Sequence, residues 1–358
     1  MGTMPVQSDQ EIPEPTPAKP LPRPSTAGKR PVRPLERIVE GIIFFCGITS
    51  ILFVALIFLF IFKEAFPLLL RYPWGEFFLG KEWTPVPPSG VQPDFGLLPL
   101  LISSILITLG AIALAVPLGI TSAIFIAEIA PAKTRDFLKS TVELLAALPS
   151  VVLGFFAAVV LSPFLQKSME LPTGDTMLTG AITLAFMAIP TIATISEDAI
   201  NAVPRDVREG SLGLGASHWQ TIWRVQVPAA FSGIIAAVML GIGRAIGETM
   251  VVLMVTGNNI GLHLNDLLTQ PGVEVADKWN VDPQNPIAVM VGSFQHVFGA
   301  YTEICRTITA TIAAEMGELT PGELHYHALF MLGVVLFLIT FSINLTADFA
   351  LRRAGGRE

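Results

Sequence analysis

Arg244 and Glu248 stand four residues apart in AAFSGIIAAVMLGIGRAIGETMVVLMVTG, a run with no other charged residue. A guanidinium near the centre of a bilayer costs about 2.5–3.5 kcal/mol even on the lenient insertion scale, so it needs a compensating use. On one continuous helix this spacing puts both groups on the same face, with Glu248 one turn beyond Arg244, and the two would neutralise each other at rest. The planar guanidinium fork also suits bidentate capture of an oxyanion. Two chemistries therefore fit: a structural ion pair locking neighbouring helices, and a gate in which Arg244 exchanges Glu248 for a passing anion. A dinucleotide loop does not fit. Gly241, Gly243 and Gly247 are spaced one residue too long for G-x-G-x-x-G, and no strand precedes them.

The helix that must position the pair carries Gly233, Ala237, Gly241 and Ala245 at intervals of four, a small-residue stripe that lets another helix approach closely. Arg244 follows Gly233 by about 16 Å of helix, near the bilayer midplane. The rest of the chain supplies the membrane setting. Its 358 residues are 52% hydrophobic and only 14% charged, with mean hydropathy +0.62, against about 25% charged for a soluble chain. About 20 apolar residues cross a hydrocarbon core. Runs of that kind predict an all-α polytopic membrane protein with six transmembrane helices, at about 38–62, 97–127, 141–161, 177–196, 228–257 and 325–350. Pro117 and Gly119 should kink the second, and Leu148-Pro149-Ser150 with Gly154 marks a weak point in the third.

The connections divide by composition. Residues 1–37 are rich in Pro and poor in large apolar side chains, which predicts a disordered tail. Residues 63–96 read as an interfacial loop, with Trp74, Phe77, Phe78 and Trp83 in a headgroup belt and Pro85, Pro87, Pro88 and Pro93 blocking regular structure. Residues 258–324 form a long extracytoplasmic segment, partly amphipathic from 287 to 316, and 351–358 a short cytoplasmic tail. Fifteen of the 22 Lys and Arg then fall in inner segments, which predicts cytoplasmic N- and C-termini. Cys46 and Cys305 offer neither a disulfide framework nor metal-ligand spacing and read as packing residues. His325 and His327 read as interfacial, so no metal site is expected. A net charge of −7 makes nucleic acid an unsuitable partner.

Residues 197–227 form a polar inner loop that runs into the fifth span. Glu209 is followed by Gly215 and, after nine further residues, by Val225-Gln226-Val227-Pro228. The spacing resembles the EAA motif of ABC importer permeases; Glu209, Gly215 and Pro228 match, while Gly210 and Ser211 stand where that motif has alanines. The resemblance implies a cytoplasmic coupling loop that docks on a separate ATPase. The chain has no G-x-x-x-x-G-K-[ST] phosphate loop. It is therefore expected to bind no cofactor and to be no enzyme, with ATP and Mg used by the partner.

The run GIGRAIGETMVVLMVTGN, with ELLAALPSVVLGF, TITATIAAEMGE and LHYHALFMLGVVLFLITFSINL, resembles the PstC-type permease subunits of phosphate-specific ABC importers from Ile38 to Ala350. This implies a type I ABC importer permease in the inner membrane, surrounded by lipid, with Arg244 and Glu248 on the path of inorganic phosphate. It also implies partners: a second permease subunit of PstA type, two ATPase subunits of PstB type and an extracytoplasmic phosphate-binding protein of PstS type. The acidic residues of 258–324, Asp266, Glu274 and Asp277 among them, would repel free phosphate, which favours delivery by a docked carrier. The alternatives are a permease for another oxyanion such as sulfate or molybdate, a stand-alone channel, or an intramembrane hydrolase. The docking loop argues against a channel. The absence of H-E-x-x-H and G-x-S-x-G argues against a hydrolase.

Overall fold

The structure is a computed structural model and describes residues 34–87, 92–259 and 298–355. The Pro-rich tail through Arg33 and the amphipathic stretch from 287 to 297 lie outside the described residues. The elements are α1 (Pro34–Arg71), α2 (Trp74–Leu79), β1 (Trp83–Thr84), β2 (Asp94–Phe95), α3 (Leu98–Ile124), α4 (Ala132–Ala146), α5 (Ser150–Phe156), α6 (Ser162–Met169), α7 (Met177–Asn201), α8 (Arg205–Gly213), α9 (His218–Thr221), α10 (Val227–Ala229), α11 (Phe231–Gly247), α12 (Met250–Val255), α13 (Ile308–Glu315) and α14 (Leu324–Gly355). Wider π-helical turns follow α3, α5 and α9, at Phe125–Ile129, Ala157–Leu161 and Ile222–Gln226.

Five helical stretches are long and apolar enough to cross a membrane: Ile38–Arg71, Leu98–Ile129, Ser150–Met169, Met177–Asn201 and Leu324–Ala347. A sixth exists if His218–Ala229 and Phe231–Gly247, bent by 68°, are counted as one span. The chain forms two compact units, Met1–Ile57 and Phe58–Glu358. The described part of the first is helix with exposed Phe44, Phe45, Ile51 and Phe53, the pattern of a side-chain surface made for lipid. Cys46 is exposed there, so it is not the packing residue its apolar run suggests, whereas Cys305 in the second unit is buried.

In the second unit α3 runs along α7, and α11 packs on α7 from another side. Ile107, Ala111, Leu184, Ala188 and Ile192 are buried between them. An outer cluster joins Leu68, Phe77, Trp83, Phe95, Leu100, Leu329 and Leu332.

Several boundaries differ from the sequence expectation, each for a local reason. Helix begins at Pro34, so residues 34–37 are not disordered; proline suits a first helical turn because its missing N–H has no partner there anyway. Residues 63–96 are not a loop throughout but hold the end of α1, α2 and the β1–β2 pair. α1 continues to Arg71 across Pro67; Phe77 and Trp83 are buried in the outer cluster, while Trp74 and Phe78 are exposed. β1 pairs antiparallel with β2, Trp83 opposite Phe95, which brackets the prolines instead of yielding to them. The third span is Ser150–Met169 and not 141–161: a residue before proline avoids the α region, so α4 ends at Ala146 and helix restarts after Pro149. α4 itself buries no residue. α3 runs as one helix through Pro117.

Candidate substrate pathway and coupling loop

The fifth predicted span is three pieces. α11 ends at Gly247, Glu248 is extended (φ −72°, ψ 129°), and α12 restarts at Met250. Gly241, Gly243 and Gly247 each weaken the helix by about 1 kcal/mol relative to alanine, so this is where the apolar run gives way. The break changes the relation between the two charges. They do not pair. Arg244 Nη1 donates to Thr191 Oγ1 on α7 at 3.0 Å, and among the described residues no carboxylate lies within ion-pair distance of it. Glu248 Oε1 accepts instead from the backbone N–H groups of Met250 at 3.1 Å and Val251 at 3.2 Å.

Each charge therefore faces a helix end of opposite polarity. Arg244 occupies the last turn of α11, where the backbone carbonyls carry partial negative charge, and Glu248 caps the first turn of α12, where the amides carry partial positive charge. This replaces the expected mutual neutralisation, because an extended residue at 248 cannot continue the helical face that the spacing of four assumed. Among the described residues Arg244 commits one of its five donors.

Glu248 is buried, and its backbone carbonyl accepts from Thr309 Oγ1 at 2.9 Å. Ser104 and Thr108 of α3, Thr307, Thr309 and Glu248 line a cavity of about 10 Å3, room for about one water. Ser104 Oγ accepts from the Ile308 amide at 3.0 Å, which ties α3 to the start of α13. Sequence reasoning did not find these hydroxyls; isolated Ser and Thr in apolar runs carry no periodic signal.

The stripe Gly233, Ala237, Gly241 and Ala245 faces α7. A Cβ added at Gly233 would lie 2.4 Å from Cβ of Ala199, and one at Gly241 would lie 2.7 Å from the Ile192 side chain. Ala237 and Ala245 are buried.

On the loop, Glu209 is exposed on α8. Gly215 has φ +86°, the left-handed region that favours glycine, and closes α8: its N–H donates to Leu212 O at 2.9 Å while Ala216 N–H donates to Ser211 O at 3.2 Å. Ser217 and Gln220 then start α9 with a reciprocal cap. Pro228 sits in α10, just after the π turn and just before the bend. Leu214 and Trp219 are exposed beside Gly215.

Sequence reasoning also passed over a set of buried charges under the loop. Glu128, in the π turn after α3, has a side chain only 4% exposed, and Arg208 Nη2 lies 2.9 Å from its Oε2 as an ion pair, off the line of a hydrogen bond. Gln226 Nε2 donates to Glu128 Oε1 at 2.8 Å. Nearby, Lys139 Nζ is 2.7 Å from Glu197 Oε2, and Asn201 Nδ2 donates to Glu197 Oε1 at 2.7 Å. The hydrogen bond to Glu197 pushes the Lys139 ammonium above its ordinary value. Beside β1, Glu315 takes Arg306 Nη1 at 2.6 Å on one oxygen, and His325 Nε2 at 2.7 Å and Trp83 Nε1 at 3.2 Å on the other. Burial alone would raise the Glu315 carboxyl; the His325 hydrogen bond and the Arg306 charge outweigh it and hold the group below its ordinary value. His325 and His327 are thus buried and partnered, the latter on Glu64 O at 2.6 Å.

A bundle of apolar helices, a helix broken at a buried charge and a polar loop braced beneath it fit a membrane transport subunit. Residues 115–354 match the model of the family described as "Binding-protein-dependent transport system inner membrane component", and the chain belongs to that family. It is 36% identical over 266 residues to the probable ABC transporter permease protein YqgH of Bacillus subtilis, covering 74% of each chain. It is 32% identical over 301 residues to the phosphate transport system permease protein PstC of Mesorhizobium japonicum, covering 79% of this chain and 80% of that one. Among solved structures it is similar to the MetNI methionine ABC transporter in inward-facing conformations, at 16% identity and TM-score 0.47 over 72% of this chain and 94% of that one. The chain is a multi-pass inner-membrane permease of the type I ABC importer fold, not an enzyme, and works with an ATPase and a substrate-binding protein carried on other chains.

Proposed function

We propose that this chain forms half of the translocation pathway for inorganic phosphate in an ATP-driven importer. The observation that carries the proposal is Arg244: a half-buried guanidinium at a helix break, held by one neutral hydroxyl and free to offer its fork to an oxyanion. The names of the PstC relatives supply phosphate as the anion. Glu248, an acceptor with no proton to give when ionised, complements an anion that still carries a hydroxyl, as phosphate does at neutral pH and sulfate does not. The partners in this reading are a PstA-type permease subunit, two PstB-type ATPases that use ATP and Mg, and a PstS-type binding protein outside. Glu209, Gly215 and Pro228 belong to the element that docks on the ATPase. The bias of Lys and Arg supports cytoplasmic termini.

The test is uptake of labelled phosphate and labelled sulfate by proteoliposomes holding the complete importer, with and without the ATPase and the binding protein. Phosphate uptake should need both, and sulfate should not enter. Equal sulfate uptake would reassign the substrate to oxyanions in general, and uptake without the ATPase would make the chain a channel.

A further inference from the structure

We propose that Glu128, Arg208 and Gln226 form a strut through which the coupling loop moves α3, a route to the pathway separate from the chain's own continuation into α11. The proposal rests on the loop being the element that docks on the ATPase. Both side chains that hold Glu128 come from that loop. Arg208 immediately precedes Glu209 on α8, and Gln226 lies two residues before Pro228. Glu128 ends the span that begins at Leu98 and is almost wholly buried. A buried carboxylate cannot release its cation without leaving an unpaired charge out of water, so a displacement of α8 must carry the inner end of α3 with it. A second tie reinforces this end: Arg135 Nη2 of α4 donates to Ala127 O at 2.8 Å.

The covalent route is softer. Between the loop and α11 the chain turns through 68°, past Pro228 and past Ala230, whose backbone is non-helical at φ −84° and ψ 0°. A bend of this kind absorbs rotation. α3, by contrast, is one helix from Leu98 to Ile124 that brings Ser104 and Thr108 to the cavity beside Glu248 and lies along α7, which carries the Thr191 partner of Arg244. Movement of Glu128 therefore reaches both charged residues of the pathway. Glu128 and Arg208 act as positioning residues and touch no substrate.

The experiment uses the complete importer in proteoliposomes and reads three quantities: co-purification of the ATPase and the sister permease, stimulation of ATP hydrolysis by the phosphate-loaded binding protein, and phosphate imported per ATP. Glu128→Ala removes both contacts; Glu128→Gln keeps the size and an acceptor for Gln226 but loses the attraction for Arg208. Couplings between sites commonly span about 5–150-fold. Glu128→Ala should keep the assembly and its basal hydrolysis while import per ATP falls about tenfold or more; Glu128→Gln should be intermediate, and Arg208→Lys, which keeps the charge, should stay within about threefold of wild type. If Glu128→Ala does not assemble, Glu128→Gln decides. Wild-type import per ATP in Glu128→Gln and Glu128→Ala would overturn the strut, and so would loss of the ATPase from an otherwise assembled permease. A wild-type importer that ignores ATP would instead overturn the reading of the loop.

Discussion

Arg306 and Arg244 sit in two partly buried settings of one chain and are held in opposite ways. Arg306 is ion-paired: Glu315 at 2.6 Å and Asn258 at 2.9 Å take two of its nitrogens, while His325 and Trp83 occupy the other oxygen of Glu315. Arg244 has a hydroxyl and a helix end. A charge whose partners are all protein groups serves the fold, because any ligand would have to break an ion pair already made. A charge compensated only by dipoles is stabilised enough to remain in place and still gains by meeting an anion. The outer cluster is therefore a clamp, and in the proposed function the broken helix is the passage.

Four substitutions or conditions sharpen that contrast on the side of stability. Arg306→Ala strands the Glu315 carboxylate; breaking a buried pair costs about 3–5 kcal/mol, and with 14% exposure on each side chain the lower end applies. Thermal unfolding of the detergent-solubilised complex should show a clear loss, and an unchanged midpoint would remove the clamp. Gly233→Ala drives a Cβ to within 2.4 Å of Cβ of Ala199, an overpacking worth about 1–3 kcal/mol. It should lower the melting midpoint and, by pushing α11 off α7, lengthen the Arg244–Thr191 contact. Thr191→Val removes one hydrogen bond to a charged group, about 1.5 kcal/mol, and should leave assembly intact; collapse of the complex would make Thr191 a packing residue.

The smallest effect is one of pH. The Glu315 carboxyl is held below its ordinary value of 4.5 in the folded protein, facing Arg306, His325 and Trp83. Its stabilisation is complete above the unfolded value and is lost as pH falls through the lower folded value. Melting midpoints of wild type and Glu315→Gln should converge as pH falls below about 4.5; no convergence on acidification would remove Glu315 as the titrating group.

The spans were legible because run length and hydropathy depend on composition alone, and the loop motif because glycine at 215 and proline at 228 have local backbone consequences that spacing preserves. Arg244 and Glu248 stood out as charges in an apolar run. Their relation did not, since reading them as a pair assumed an unbroken helix, and the Thr309 hydroxyl that holds the extended Glu248 carbonyl arrives from 61 positions away. The Glu128–Arg208 contact joins residues 80 positions apart in sequence, and the Glu315 cluster gathers Trp83 from 232 away. No local pattern encodes such contacts. Of the aromatics expected in a belt, Trp74 and Phe78 are exposed while Phe77 and Trp83 are buried, for the same reason: an aromatic suited to an interface is equally suited to a core.

The most direct measurement is labelled phosphate uptake by the complete importer carrying Arg244→Ala, alongside ATPase co-purification and the melting midpoint. Losing charge-assisted hydrogen bonds of about 1.5–3 kcal/mol each predicts at least a tenfold or so fall in uptake, with the assembly intact and the midpoint lowered no further than by Thr191→Val. Normal uptake by Arg244→Ala would take the guanidinium off the path and contradict the account at its centre.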